Sequence, residues 1–70
     1  MTNSQAKPNG DFRFLKAVYR NVNRLREEQG IEPVGGLGFA HKLEMHFRGE
    51  YNPRVARAIE EAERELAGAQ

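Results

Sequence analysis

Three stretches of this chain carry apolar residues three and four positions apart, and glycine or proline residues separate them. That spacing places the apolar side chains on one face of a helix, whereas a half-buried strand needs an apolar residue at every second position. No alternation of that kind occurs in the sequence. The pattern therefore predicts an all-α protein with helices over residues 11–29, 39–48 and 53–67.

Capping and turn residues set the predicted helix boundaries. Asp11 is placed to cap the first helix, and Gly30 is placed to end it. Asn52 followed by Pro53 is a helix start, because Asn caps unpaired amides and Pro at the first helical position loses no hydrogen bond. The connection over residues 31–38 holds one proline and three glycines, which indicates a turn and not a continuous helix.

The first ten residues have no large apolar side chain after Met1 and end in Pro-Asn-Gly. They predict a disordered N-terminal tail, followed by a single helical domain over residues 11–68. Seventy residues are too few for two domains and supply only a thin core, so we expect self-association or a binding partner to add stability. The large apolar residues counted toward that core include Phe12, Leu15, Leu37, Phe47 and Tyr51.

Residues that carry chemistry are scarce. Cysteine is absent, which excludes a disulfide framework and a thiolate metal site. The only Ser, Thr and Asp are Ser4, Thr2 and Asp11, so an enzyme with a Ser, Thr or Cys nucleophile is disfavoured. His41 and His46 are five positions apart and point about 140° away from each other on a helix, so they do not form a metal site. The sequence predicts a non-catalytic protein with no metal and no small-molecule cofactor.

No apolar run reaches the length that a secretory or membrane-spanning segment needs. We therefore expect a cytoplasmic protein that does not contact membranes.

Charge is distributed unevenly although the formal total is only +1. The first predicted helix carries four cations opposite its apolar stripe, which can bind phosphates or can be the solvated face of a core helix. The last predicted helix carries four glutamates, which either meet a basic partner or pair with the first helix. The four cations, named here the basic ridge, are Arg13, Lys16, Arg20 and Arg24.

The third predicted helix has a narrow apolar seam with spacings of four, three and four residues. A narrow seam suits packing against one neighbouring helix or against a second copy of the chain. We predict a dimer or partner interface along it, and a homodimer in particular. The residues of this seam are Val55, Ile59, Ala62 and Leu66.

Two segments resemble a known family. From His41 onward the chain reads HKLEMHFRGEYNPRVARAIEEAERELAG, and residues 21–30 read NVNRLREEQG. The longer segment, about 28 of the 70 residues, resembles the second half of small phage or repressor-type helix-turn-helix domains of the Cro/repressor superfamily. The shorter segment is similar to the first-helix signature of that superfamily. Where the family has a complete positioning helix, this chain has the short, proline- and glycine-containing residues 31–38.

The resemblance implies a non-catalytic, DNA-binding regulator of transcription from a phage or prophage, with residues 39–48 as its recognition helix. Exposed side chains of that helix would meet base edges or phosphates, and the basic ridge would lie on the DNA backbone. The sequence pI of about 8.2 is lower than the value above about 9 that is common in nucleic-acid binders. The contact residues implied on the recognition helix are His41, Lys42, Met45 and Arg48.

A second hypothesis is a small helical protein–protein interaction module, such as a phage-encoded modulator or inhibitor of a host protein. The near-neutral total charge, the incomplete helix-turn-helix and the acidic last helix favour it.

Overall fold

The computed structural model describes residues 6–68 of the chain, with side chains from residue 12 onward. It contains three helices: α1 (Ala6–Glu28), α2 (Gly36–Phe47) and α3 (Pro53–Gly68). No strand occurs among these residues. The predicted all-α, three-helix fold class is confirmed.

Helix α1 begins five residues before the predicted start, so Asp11 lies inside the helix and does not cap it. Pro8 falls in the first turn, where backbone amides have no partner within the helix and proline is therefore tolerated. The Pro-Asn-Gly sequence thus belongs to the helix instead of forming the expected turn. The remainder of the predicted tail, residues 1–5, lies outside the described residues.

Glycines in the left-handed conformation end the first two helices. Gly30 has a φ of +74°, and its N–H donates to the carbonyl of Glu27 at 3.0 Å. The N–H of Ile31 donates to the carbonyl of Arg26 at 2.8 Å, which completes a Schellman motif. Gly49, with a φ of +112°, ends α2 in the same way. The predicted ends at both glycines are confirmed.

Helix α2 begins three residues earlier than predicted, at Gly36. Two glycines in the first turn make this start unfavourable by intrinsic propensity. Packing compensates for that propensity, because Phe39 is buried and its ring centroid lies 4.9 Å from that of Tyr19 on α1. Gly38 also packs next to the side chain of Val34. The irregular connection is therefore shorter than residues 31–38.

Helix α3 begins where the sequence predicts. The side-chain oxygen of Asn52 accepts hydrogen bonds from the N–H groups of Arg54 (3.1 Å) and Val55 (3.2 Å). Pro53 is the first helical residue and has no N–H to satisfy.

The core lies mainly between α1 and α3, which run antiparallel. Buried Asn21 on α1 donates its Nδ2–H to the carbonyl oxygen of Ala58 on α3, at 3.3 Å. Because this side chain is polar and only 1% exposed, that bond satisfies a group that would otherwise destabilise the core. The buried apolar residues around it are Ala17, Val18, Val22, Leu25, Phe39, Val55, Ala58 and Ala62.

The connection between α1 and α2 is fastened to the side of α1 by one asparagine and one tyrosine. The side-chain amide of Asn23 both accepts from the N–H of Val34 (2.8 Å) and donates to its carbonyl (3.1 Å). The hydroxyl of Tyr19 donates to the same carbonyl at 3.0 Å. These three bonds fix the path of a connection that has no regular structure of its own.

Replacing Asn23 by alanine is expected to lower the free energy of unfolding by about 1–2 kcal/mol, because two hydrogen bonds to the backbone N–H and C=O of Val34 are lost. Tyr19→Phe removes a single bond to the same carbonyl and should cost about 1 kcal/mol or less. Urea unfolding of the two variants and the parent protein measures both effects. A smaller loss for Asn23→Ala than for Tyr19→Phe would contradict the double bond to Val34.

Candidate functional site

Two of the four cations of the basic ridge are bonded to acidic residues of α3. Arg20 contacts Glu65 at 2.5 Å, and Arg24 contacts Glu61. Arg24 also bonds to Glu28, one turn further along α1, at 2.9 Å. The antiparallel packing of α1 and α3 brings these charges together. The glutamates of α3 therefore pair with the first helix, which was one of the two predictions for them. The positive charge of Arg20 and Arg24 is compensated by these carboxylates.

The other two ridge cations lie closer to the N-terminal end of the helix. Arg13 and Lys16 are exposed and line a hollow of about 270 Å³ next to Glu65 and Leu66 of α3. The Lys16 ammonium also lies 5.3 Å from the ring centroid of Phe12, a cation–π distance. The ridge is thus continuous along α1, but its members differ in how they are paired.

A groove also runs along α1 on the side of the connection to α2, with a volume of about 620 Å³. Tyr19 and Pro33 contribute apolar surface to it. Its charged residues are three cations of the ridge and one acid. We call this the α1 groove; its lining residues are Lys16, Tyr19, Arg20, Asn23, Arg24, Glu27 and Pro33.

The DNA-contact residues implied on the second helix have unequal exposure. His41 and Arg48 are exposed, whereas Lys42 and Met45 are half-buried. Arg48 is the C-terminal cap of α2, and its guanidinium lies 3.8 Å from the carboxylate of Glu44. His41 and Arg48 are therefore the more exposed members of this predicted set.

The predicted seam of α3 is largely filled by the same chain. Val55 and Ala62 are fully buried in the core against α1, so they cannot form a dimer or partner interface in the folded chain. Ile59 packs against this core, and Leu66 is half-buried. The prediction of an intermolecular seam is corrected for Val55 and Ala62. Val55 and Ala62 instead pack against one neighbouring helix, α1, which was the other prediction from the same spacing.

Several large apolar residues counted toward the core lie at the surface. Leu37, in the first turn of α2, is 90% exposed, and Phe47 and Tyr51 are 68% and 72% exposed. Phe12 and Leu15 of α1 are also exposed. Sequence reasoning missed these surface positions because it counted apolar residues without the direction of each helix face.

Phe47 shows the geometric cause. It is two turns after Phe39 on α2, but eight residues at about 100° each leave it about 80° further round the helix. The helix ends there, so no later residue brings the apolar face back to the core. The offset could have been found from the spacing alone.

The exposed rings of Phe47 and Tyr51 both lie close to the ring of a histidine, His46. The ring centroid of His46 is 5.6 Å from each of them. The Nδ1 atom of His46 accepts a hydrogen bond from the N–H of Asn52 at 3.1 Å, which holds the turn between α2 and α3. We call His46, Phe47 and Tyr51 together the aromatic surface.

Neither a metal centre nor a membrane span is found in the described part of the chain. Residues 6–68 contain no group of three metal-ligating side chains. None of their helices combines the length and the apolar character required to cross a bilayer.

Comparisons with protein-family models, with curated proteins and with solved structures find no match to this chain.

Proposed function

We propose that this chain is a non-catalytic protein-interaction module that binds a partner protein through its aromatic surface. The exposure of Phe47 and Tyr51, whose rings each lie 5.6 Å from the ring of His46, carries the proposal. Aromatic side chains are enriched in protein interfaces because they bury a large area with few rotatable bonds. Monomeric proteins rarely expose large apolar side chains close together unless the surface binds a partner.

The surroundings of the two rings support a protein as the occupant. Glu44, Arg48 and Glu50 are exposed nearby in the sequence and carry both signs of charge. An apolar centre with a polar rim of mixed charge is the usual composition of a protein–protein interface. The scarcity of nucleophiles in the sequence supports a role in binding without catalysis.

DNA binding is the competing proposal, and the pairing of the basic ridge argues against it. Arg20 and Arg24 are held by carboxylates of α3, and a phosphate backbone would have to displace or share them. We expect the chain to cause no mobility shift of duplex DNA at 50 mM salt. A shift that Arg20→Glu with Arg24→Glu abolishes would favour the DNA-binding proposal.

Replacing both Phe47 and Tyr51 by serine is expected to weaken partner binding at least tenfold, because exposed aromatic anchors contribute most of the affinity of small interfaces. The partner is captured from a nuclease-treated lysate on immobilised protein and purified, and its affinity for the parent and the variant is then measured by calorimetry. Folding should be unaffected, since neither side chain belongs to the buried core.

Phe12→Ser is the matched control, since it removes another exposed phenylalanine far from this turn in the sequence. It should leave the affinity unchanged. Equal losses for the control and the double variant would overturn the proposal. So would sedimentation that shows this surface to be covered by a second copy of the chain.

A further inference from the structure

We propose that the N-terminal half of the basic ridge forms a second site, and that this site binds a phosphate monoester group. The site is the hollow between α1 and the last turns of α3, with a volume of about 270 Å³. It shares no residue with the aromatic surface, so the two sites are independent. We call it the ridge hollow; its lining residues are Arg13, Lys16, Ala17, Arg20, Glu65 and Leu66.

The helical spacing of α1 brings three cations to the ridge hollow. Residues three and four positions apart are neighbours on a helix surface, and Arg13, Lys16 and Arg20 follow one another at these intervals. Ala17 lies among them, and its side chain is a single methyl group that is buried in the core. Long cationic side chains around a short buried one therefore surround an open space.

The charges of the ridge hollow do not cancel. Three cations and one acid, Glu65, line it, which gives a net charge of +2. Leu66 lies in the last turn of α3, and the carbonyl end of a helix is equivalent to about half a negative charge. An excess of about +1.5 remains after this contribution is subtracted. Charge therefore selects an anion as the occupant.

The bonds of the three cations leave donors for such an anion. Among the side chains of residues 12–68, neither Arg13 nor Lys16 forms an ion pair. Arg20 is bonded to Glu65 at 2.5 Å, but a guanidinium has five N–H donors and can bond to a second acceptor. An anion in the ridge hollow therefore meets two charges without a carboxylate partner and the remaining donors of a third.

A phosphate monoester fits these donors better than a carboxylate does. It carries a charge of about −1.5 to −2 at pH 7 and three strong acceptor oxygens, whereas a carboxylate carries one charge. The guanidinium groups of Arg13 and Arg20 match phosphate geometry, because two parallel N–H groups bond to two oxygens. The volume also lies below the range of about 300–1,000 Å³ typical of drug-sized ligands, which favours a small group.

Glycerol 3-phosphate is the probe for this site. It is titrated into the isotopically labelled full chain at constant ionic strength, and the NMR signals of the arginine side chains report binding. Arg13→Gln should weaken binding about fivefold, and Glu65→Gln should tighten it about fivefold, because an exposed ion pair contributes on this scale. A variant that failed to fold could not produce the gain.

Arg64→Gln and Glu60→Gln are the matched controls. They change the net charge by the same amounts, but these two residues pair with each other on α3 and do not line the ridge hollow. Both should leave the affinity unchanged. Equal effects of the controls and of the ridge-hollow variants would assign binding to net charge and overturn the proposal. Acetate binding as tightly as glycerol 3-phosphate would overturn it as well.

Two parallel titrations identify the source of the phosphate group. Vesicles of phosphatidylcholine with phosphatidic acid present the same monoester on a lipid surface, and binding that Arg13→Gln weakens would support the site and assign it to a lipid headgroup. Binding of glycerol 3-phosphate without binding of vesicles would assign it to a soluble ester. A single-stranded oligonucleotide that bound about tenfold more tightly than glycerol 3-phosphate, with the same dependence on Arg13, would assign the ridge hollow to nucleic acid and overturn the proposal.

Discussion

Replacing Asn21 by aspartate is expected to lower the free energy of unfolding by about 3 kcal/mol or more at pH 7. The substitution keeps the shape of the side chain but removes the Nδ2–H that bonds to the carbonyl oxygen of Ala58. It also places a negative charge against that carbonyl in a site that is 1% exposed. A domain of this size has a total stability of about 4–10 kcal/mol, so a large part of it is lost.

The loss should depend on pH in a defined direction. Burial raises the pKa of the introduced carboxyl in the folded state above its usual value of about 3.9. The penalty is complete above that raised pKa and disappears below about 3.9, where the carboxyl is protonated in both states. The difference in stability between variant and parent should therefore shrink as the pH falls from 7 to 4. Urea unfolding followed by far-UV circular dichroism at each pH measures this difference.

Asn52→Asp provides the matched control for this substitution. The Asn52 oxygen caps α3, an aspartate can accept the same two N–H bonds, and its charge is favourable at a helix N-terminus. We expect a change of about 0.5 kcal/mol or less, in the stabilising direction. Equal changes in the free energy of unfolding for Asn21→Asp and Asn52→Asp would contradict the burial of Asn21 between α1 and α3.

Replacing Ala58 by leucine is expected to destabilise the fold by about 2–3 kcal/mol and to lower the melting temperature by about 10–20 °C. Ala58 is fully buried where α3 packs on α1, and its carbonyl accepts the hydrogen bond from Asn21. Three added carbon atoms at this position separate the helices or force strained side-chain conformations, because protein interiors are close-packed. Differential scanning calorimetry measures the shift.

Ala67→Leu is the control that separates the effect of Ala58→Leu on packing from its effect on helix propensity. Ala67 is exposed near the end of α3, and alanine and leucine have similar helix propensities. This variant should melt within about 2 °C of the parent. A stabilising effect of Ala58→Leu would mean that the two helices lie further apart than the structure shows.

The helix boundaries that follow from local chemistry could be predicted, and those that depend on packing could not. Asn52 and Pro53 start α3 through bonds to residues two and three positions away, so the signal is complete in the sequence. The start of α2 at Gly36 depends on burial of Phe39 beside Tyr19, a contact between residues far apart in the chain. Local propensity alone places that start too late.

In the candidate sites, too, the features that depend on local sequence could be predicted, and those that depend on packing could not. The sequence shows the four cations of the basic ridge on one face of the first helix and four glutamates on the last, but it does not give the register between the two helices. Once α1 and α3 pack antiparallel, stepping four residues forward from Arg20 to Arg24 means stepping four residues back from Glu65 to Glu61. The aromatic surface was missed for a related reason, since exposure depends on where each helix stops.

The core joins the first helix to the last, and this arrangement affects how the chain folds. Asn21 and Ala58 are 37 residues apart, and Arg20 and Glu65 are 45 apart. Contacts between such distant residues form only after a long loop closes, which slows folding relative to bundles of sequential neighbours. During synthesis on the ribosome, α1 lacks its buried partners Val55, Ala58 and Ala62 until α3 has left the exit tunnel. The core of the domain is therefore completed only once α3 has been synthesised.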